Sequence, residues 1–339
     1  MIGTDLAIDL GTSMFKIFLD GKGIVLREPS IIAIDKATEE VVATGHDAYA
    51  MFGRTSRRVS VVYPLKNGVI SDFSLAEYMI KTYIKRISFN KMFLPRAVVS
   101  VPCGITEVEK RAVVDAVISA GVRKVCVIEE PVAAAIGAGV DISEPHGSMV
   151  VDVGSGTTDM AVISLNGLAV SNSIHIGGVK FNEAIIRYVR KKFNLAIGEQ
   201  TAEECKKAIG CAYPRKKLET YMLKGRNTLS GLPETTIINS DEMMEALIEP
   251  AIDIVKTVQM TLEVTPPELL SDIFTDGIYL TGGSANLFGL STLISKKTKV
   301  PVITFEKPED CVVLGGGKAI RFIDKMDGNT KTNPLVPYN

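Results

Sequence analysis

Residues 6–19 read LAIDLGTSMFKIFL, and residues 149–163 read MVVDVGSGTTDMAVI, so the second stretch repeats the order of the first. In each copy an apolar strand ends in an aspartate, Asp9 or Asp152, and a turn of glycine and hydroxyl residues follows. Apolar alternation then resumes, with Phe15, Ile17 and Leu19 after the first turn and Ala161, Val162 and Ile163 after the second. Such an echo at the start and the middle of one chain implies two halves built alike, each presenting one acidic hairpin. The length of 339 residues agrees. A single core usually stops growing at roughly 250–300 residues, and a longer chain divides and leaves a cleft.

The residue types in these turns suit one kind of ligand. Glycine lets backbone N–H groups approach a polyphosphate closely, and serine or threonine hydroxyls add donors without bulk. Gly11, Thr12 and Ser13 supply this in the first turn, and Gly154, Ser155, Gly156 and Thr157 in the second. An aspartate just before such a turn repels bare phosphate but is well placed to hold a hydrated Mg²⁺, so Asp9 and Asp152 read as carboxylates that reach the metal through water. Lys16 could set a compact positive charge on a β- or γ-phosphate. One hairpin of this kind alone would fit a plain structural turn equally well; two facing copies argue for a clamp. A third glycine turn, Gly282-Gly283-Ser284, follows the strand-like stretch 277–281 and suits the close approach of a base and ribose. Hydrolysis of a terminal phosphate also needs a group that orients water. Glu130, where the apolar stretch 125–128 meets Pro131 and a run of alanines, is the best placed carboxylate. Thr157 can help hold the same water, although Ser155, Thr158 and Asp159 are neighbours that spacing does not separate from it.

Composition removes several alternatives. The formal net charge is −1, without the basic field that drives nucleic-acid binding. Five cysteines form no C-x-x-C pair and only three histidines are present, which argues for buried, reduced thiols rather than zinc ligands or disulfides. No basic region followed by an apolar run and a cleavage site precedes the first strand, and no apolar run approaches the ~18 residues of a spanning helix. A cytoplasmic protein is the expectation.

Taken together, these residues resemble the actin, sugar-kinase and heat-shock-chaperone ATPase superfamily and, within it, the MreB family, from about Asp5 to about Phe322. The stretches that carry the likeness are GKGIVLREPS (21–30), PLKNGVISDF (64–73), VPCGITEVEKRA (101–112), IEEPVAAAIGAG (128–139), 147–163 and 280–290. The resemblance implies an α/β, actin-like ATPase fold of two domains, each on a mixed five-stranded sheet flanked by helices, with ATP and Mg²⁺ in the interdomain cleft. It places subdomain IA at 1–32, 67–144 and 316–339, IB at 33–66, IIA at 145–180 and 246–315, and IIB at 181–245. It assigns Gly282 and Gly283, with Ser284 beside them, to the adenosine loop, Glu203 and Lys206 to adenosine contacts, and Glu130 with Thr157 to positioning the water. The chain departs from the family pattern at Met14 and Phe15, where Asn-Thr is usual, at Ser155, at Asp159 where Glu is usual, and at Val179 and Asn182, where acids are usual.

The same resemblance implies self-association into filaments that hydrolyse ATP, a role in cell shape, and cytoskeletal paralogues among the partners. The stretch 106–120, with Thr106 and Glu109 as a capping box, matches a region that pairs protofilaments, although core packing alone explains its apolar residues Val113, Val114, Val117 and Ile118. Met92, Phe93 and Leu94 between Lys91 and Arg96 resemble a membrane-insertion loop, with the basic pair meeting anionic head groups on the inner face of the cell membrane. Two basic clusters, Arg54/Arg57/Arg58 and Arg215/Lys216/Lys217, read as solvated faces. A small-molecule kinase of the same superfamily, a chaperone-like monomer and a slow or inactive nucleotide-binding scaffold are the alternatives.

Overall fold

The computed structural model describes residues 5–87 and 94–324. Strand Leu6–Leu10 pairs antiparallel with Met14–Leu19, which pairs antiparallel with Gly23–Pro29. On the other side of Leu6–Leu10, strands Arg96–Val101 and Lys124–Glu129 add in parallel. The second half repeats the plan. Ser148–Val153, Thr158–Ser164 and Gly167–Ile174 form an antiparallel meander, and Ile278–Thr281 and Val302–Thr304 add in parallel beyond its first strand. Each half is thus a five-stranded sheet in which the first strand lies at the centre. Parallel neighbours need long crossovers, and helices Glu107–Ser119 and Leu290–Thr298 occupy equivalent ones. Each half also carries a three-stranded accessory sheet inserted between its third and fourth strands: Ile32–Asp35, Val41–Thr44 and Val59–Val62 in the first, Leu195–Ala196, Thr220–Asn227 and Pro233–Asn239 in the second.

The central strands are apolar on both faces because both faces are covered. Leu6, Ile8 and Leu10 enter the core of the first half, and Met149, Val151 and Val153 that of the second. The alternate residues Ala7, Val98 and Cys126 of one sheet, and Val150, Ala161 and Ile163 of the other, enter a third core between the sheets. That core is built on helices Glu130–Ala138 and Cys311–Ala319. Small residues set their separation. A Cβ on Gly137 would lie 1.8 Å from the Cys311 carbonyl oxygen, and one on Gly315 would lie 1.7 Å from that of Ala133. The two backbones therefore touch, and the sheets meet across that contact.

Several expectations are settled here. The capping box of Thr106 and Glu109 is formed, and Val113 and Val117 are buried. Ile118 lies outside the core and is exposed, as is Val108, so core packing does not account for the whole apolar face. Arg215 does not belong to a solvated face. Its guanidinium lies 4.2 Å from the Phe288 ring centroid and bonds Glu219 and the Gly210 carbonyl. Arg96 is not free for head groups, because it chelates Asp5 and also bonds Asp324. Leu94 is exposed, while Met92 and Phe93 fall outside the described residues. All five cysteines are buried, and no described helix is long and apolar enough to cross a membrane.

Any side chain at the helix crossing must push two backbones apart, a change that overpacked cores resist. Gly315→Ala should lower the unfolding free energy by about 1–3 kcal/mol, measured by urea titration; a change within experimental error would show that the crossing gives way freely.

Candidate functional site

The tips of the two acidic hairpins touch. The Ser13 amide donates to Ser155 Oγ at 3.1 Å, and a Cβ on Gly156 would lie 2.3 Å from Thr12 Oγ1. Thr12 Oγ1 itself accepts from the Gly68 amide at 2.8 Å, and the Gly11 carbonyl accepts from Ser30 Oγ at 2.7 Å. The 16-residue helix Gly178–Phe193 starts on the second loop, with the Gly178 and Val179 amides donating to the carbonyls of Gly154 and Ser155. The third glycine turn closes on the same loop. Gly282 has φ +86°, and a Cβ there would lie 2.3 Å from the Val153 carbonyl oxygen. Ser284 Oγ donates to the Gly154 carbonyl at 2.7 Å. Lys206 Nζ donates to the Gly178 carbonyl at 3.0 Å and to Glu203 at 2.7 Å, and Asn182 donates to the same Glu203 oxygen. Ser13, Ser155, Glu203, Lys206, Gly283 and Ser284 all line one cleft of about 620 Å³.

Beside these loops lies a buried set of carboxylates. Register puts Asp9 opposite Lys16 in the first hairpin and Asp152 opposite Asp159 in the second. Glu130, the first residue of helix Glu130–Ala138, is buried with them. Burial raises Asp152 to about 7, against the opposing hydrogen bond from Thr281 Oγ1 at 2.7 Å, and Asp159 and Asp9 push it the same way. Burial also raises Glu130 well above the usual carboxylate range, helped by Asp159, Asp152 and Asp9. Asp9 is raised by burial and relieved by Lys16, whose Nζ lies 3.4 Å away. Asp159 is raised by burial and relieved by the Thr157 and Ser173 hydroxyls and the Cys103 amide, yet its Oδ2 has no hydrogen-bond partner among the described residues. The carboxyls outnumber the cations facing them, which suits a divalent cation. Among the described residues no three histidine, cysteine or carboxylate side chains converge as direct metal ligands.

The structure thus brings together Asp9, Gly11, Thr12, Ser13, Lys16, Glu130, Asp152, the 154–157 loop, Glu203, Lys206 and the 282–284 turn, and it leaves Leu94 out of the cleft. Thr157 lines a second cavity of about 580 Å³ with Cys103, Glu109, Asn172, Ser173 and His175. Sequence reasoning missed Asp159 as a member of the carboxylate set, although aligning the two hairpins would have found it, because it holds the place opposite Asp152 that Lys16 holds opposite Asp9. It also missed Asp310 and Arg27, which no local pattern marks.

A profile of the family described as MreB/Mbl protein matches residues 3–328. The cell shape-determining protein MreB of Escherichia coli (strain K12) is 48% identical over 335 residues, covering 97% of this chain and 96% of that protein. The cell shape-determining protein Mbl of Bacillus subtilis (strain 168) is 43% identical over 327 residues, covering 96% and 98%. Among solved structures, MreB 5 of Spiroplasma citri bound to AMPPNP matches with a TM-score of 0.92 at 33% identity, over 96% of this chain and 98% of that one. The ADP-bound form gives 0.91 at 34%, over 95% and 98%. The MamK double helical filament gives 0.78 at 18% identity over 94% and 98%, a likeness of fold alone.

The buried carboxyls bind protons more tightly folded than unfolded, so from about pH 4 to pH 7 the folded state holds the excess. Stability of the ligand-free protein should therefore fall as pH rises through that window, which for Asp152 runs from 3.8 to about 7. Urea unfolding in chelator at pH 5, 6 and 7 should show this fall, and Asp152→Asn should flatten it. An identical slope in the variant would remove Asp152 from the account.

Proposed function

The chain belongs to the MreB/Mbl family and has an actin-like fold, and from that premise we propose that it binds ATP with Mg²⁺ between the two hairpins, hydrolyses it, and assembles into filaments that act in cell shape at the inner face of the membrane. The observation that carries the nucleotide part is the contact of two glycine-hydroxyl loops beside buried, under-neutralised carboxylates. In this reading Gly11, Thr12, Ser13, Gly154, Ser155, Gly156 and Thr157 present amides and hydroxyls to the phosphates, and Lys16 adds charge. Asp9 and Asp152 hold the hydrated cation, which neutralises phosphate oxygens when bound. Gly282, Gly283, Ser284, Glu203 and Lys206 receive the adenosine end. Glu130, with Thr157, orients the attacking water, and its raised proton affinity suits it to take a proton nearer neutral pH. The names of the relatives point the same way: the Escherichia coli protein is called cell shape-determining, and the Spiroplasma citri protein holds AMPPNP and ADP.

Filament assembly is supported by two unlike groups of exposed apolar side chains, Met222, Leu229, Leu232 and Ile237 on one hairpin, and Met260 and Phe274 on two successive helices with Val264 in the connection between them. Unlike surfaces that join copies head to tail give open polymers. Attachment to an anionic membrane draws on exposed Leu94 with its neighbours Met92 and Phe93. One observation favours a second reading, phosphate transfer to a small hydroxyl compound: the polar cavity that Thr157 shares with Asn172 and Ser173. A screen of sugars and acids as phosphate acceptors separates the two readings.

Glu130→Ala should slow phosphate release by roughly a hundredfold or more while ADP still binds; equal rates would take Glu130 out of the mechanism. ATP should bring the protein into the pellet on sedimentation, and electron microscopy should show filaments that coat anionic vesicles. Failure to assemble at any protein concentration or salt would remove the filament part.

A further inference from the structure

Asp9, Lys16 and Arg27 stand in one cross-strand row, Lys16 opposite Asp9 on one side and opposite Arg27 on the other. Two cations directly opposed across a strand pair repel, and Asp310 answers both. It is buried, and Arg27 grips its two oxygens, with Nη2 2.9 Å from Oδ2 and Nη1 on Oδ1. Its Oδ1 lies 4.0 Å from Lys16 Nζ. Lys16 also donates to the carbonyl of Glu309, the residue before Asp310, and sits 3.4 Å from Asp9. The ammonium is buried beside Asp9, Asp310 and the Glu309 carbonyl.

This arrangement conflicts with a simple phosphate-binding lysine. To serve a phosphate, Lys16 must share or leave these partners, yet an ionised Asp9 left buried without a counter-charge is costly. A metal-bound polyphosphate resolves the conflict, because it brings a cation for Asp9 and an anion for Lys16 at once. The cost of that exchange is set by how firmly Lys16 is held, and the holder is Asp310. Arg27 in turn decides how much of the Asp310 charge is left for Lys16. We propose that Asp310, fixed by Arg27, is a positioning residue that keeps the Lys16 ammonium beside Asp9 as a stand-in for the metal, which a metal-bound nucleotide must displace. A staple that merely tied strand Gly23–Pro29 to the segment before helix Cys311–Ala319 would involve Arg27 and Asp310 in the same way, but its loss would act on nucleotide binding without regard to Lys16.

The inference rests on the nucleotide-binding reading above, and calorimetry with Mg²⁺ and ADP on the full chain tests the two apart. Asp310→Asn, which frees Lys16, should tighten Mg-ADP about three- to tenfold. Arg27→Gln, which leaves the Asp310 carboxylate to Lys16 alone, should weaken it by a similar factor. Both effects should vanish in a Lys16→Met background. Weakening by both substitutions, or equal effects with and without Lys16, would overturn the proposal while leaving nucleotide binding intact. If Asp310→Asn does not fold, Arg27→Gln with and without Lys16→Met decides alone. An unaltered protein that binds no ADP would instead overturn the nucleotide reading, and this one with it.

Discussion

Two hairpins tipped with acids are pressed against each other, and this forces Asp9, Glu130, Asp152 and Asp159 into buried surroundings with too little positive charge to answer them. Removing an ionised carboxylate from water is expensive unless it is paired or protonated. The folded chain meets that cost in three ways: it lends Lys16 to Asp9, gives Thr281 Oγ1 to Asp152, and lets proton affinities rise. None of the three is complete. The under-neutralised carboxylates are thus a property of the fold itself, and the glycine-hydroxyl loops lie next to them.

The duplicated topology makes this possible. Both sheets put their first strand at the centre, flanked by a hairpin partner on one side and a parallel strand on the other. The aspartate is the penultimate residue of each central strand, and its register partner on the parallel neighbour carries a hydroxyl: Thr281 Oγ1 donates to Asp152, whereas Ser100 beside Asp9 turns its own to the Ile8 carbonyl. The halves differ along the matched cross-strand row, where the first has Lys16 and Arg27 and the second Asp159 and Ser173. These differences give the site its asymmetry in charge.

Much of this was legible in residue order. The echo of residues 6–19 in 149–163 was visible because strand alternation and turn chemistry are local, and they implied two halves that meet at their turns. The glycine turn at 282–284 and the strand-to-helix switch at Glu130 are local for the same reason. What escaped depends on pairings over long separations. Lys16 was legible as a cation near phosphate, but not as one already held by Glu309 and Asp310, nearly three hundred positions later. Arg96 looked like a free basic flank until the fold set it on Asp5 and Asp324. Arg215 looked solvated until the fold supplied Phe288.

The helix crossing at Gly137 and Gly315 has one further consequence. Glu130 is the opening residue of one crossing helix, and Asp310 immediately precedes the other. Contact between bare backbones leaves no slack there, since separation would open a void and compression is blocked. The spacing of the two sheets and the seating of both acids are therefore referred to one contact, the width of two glycines.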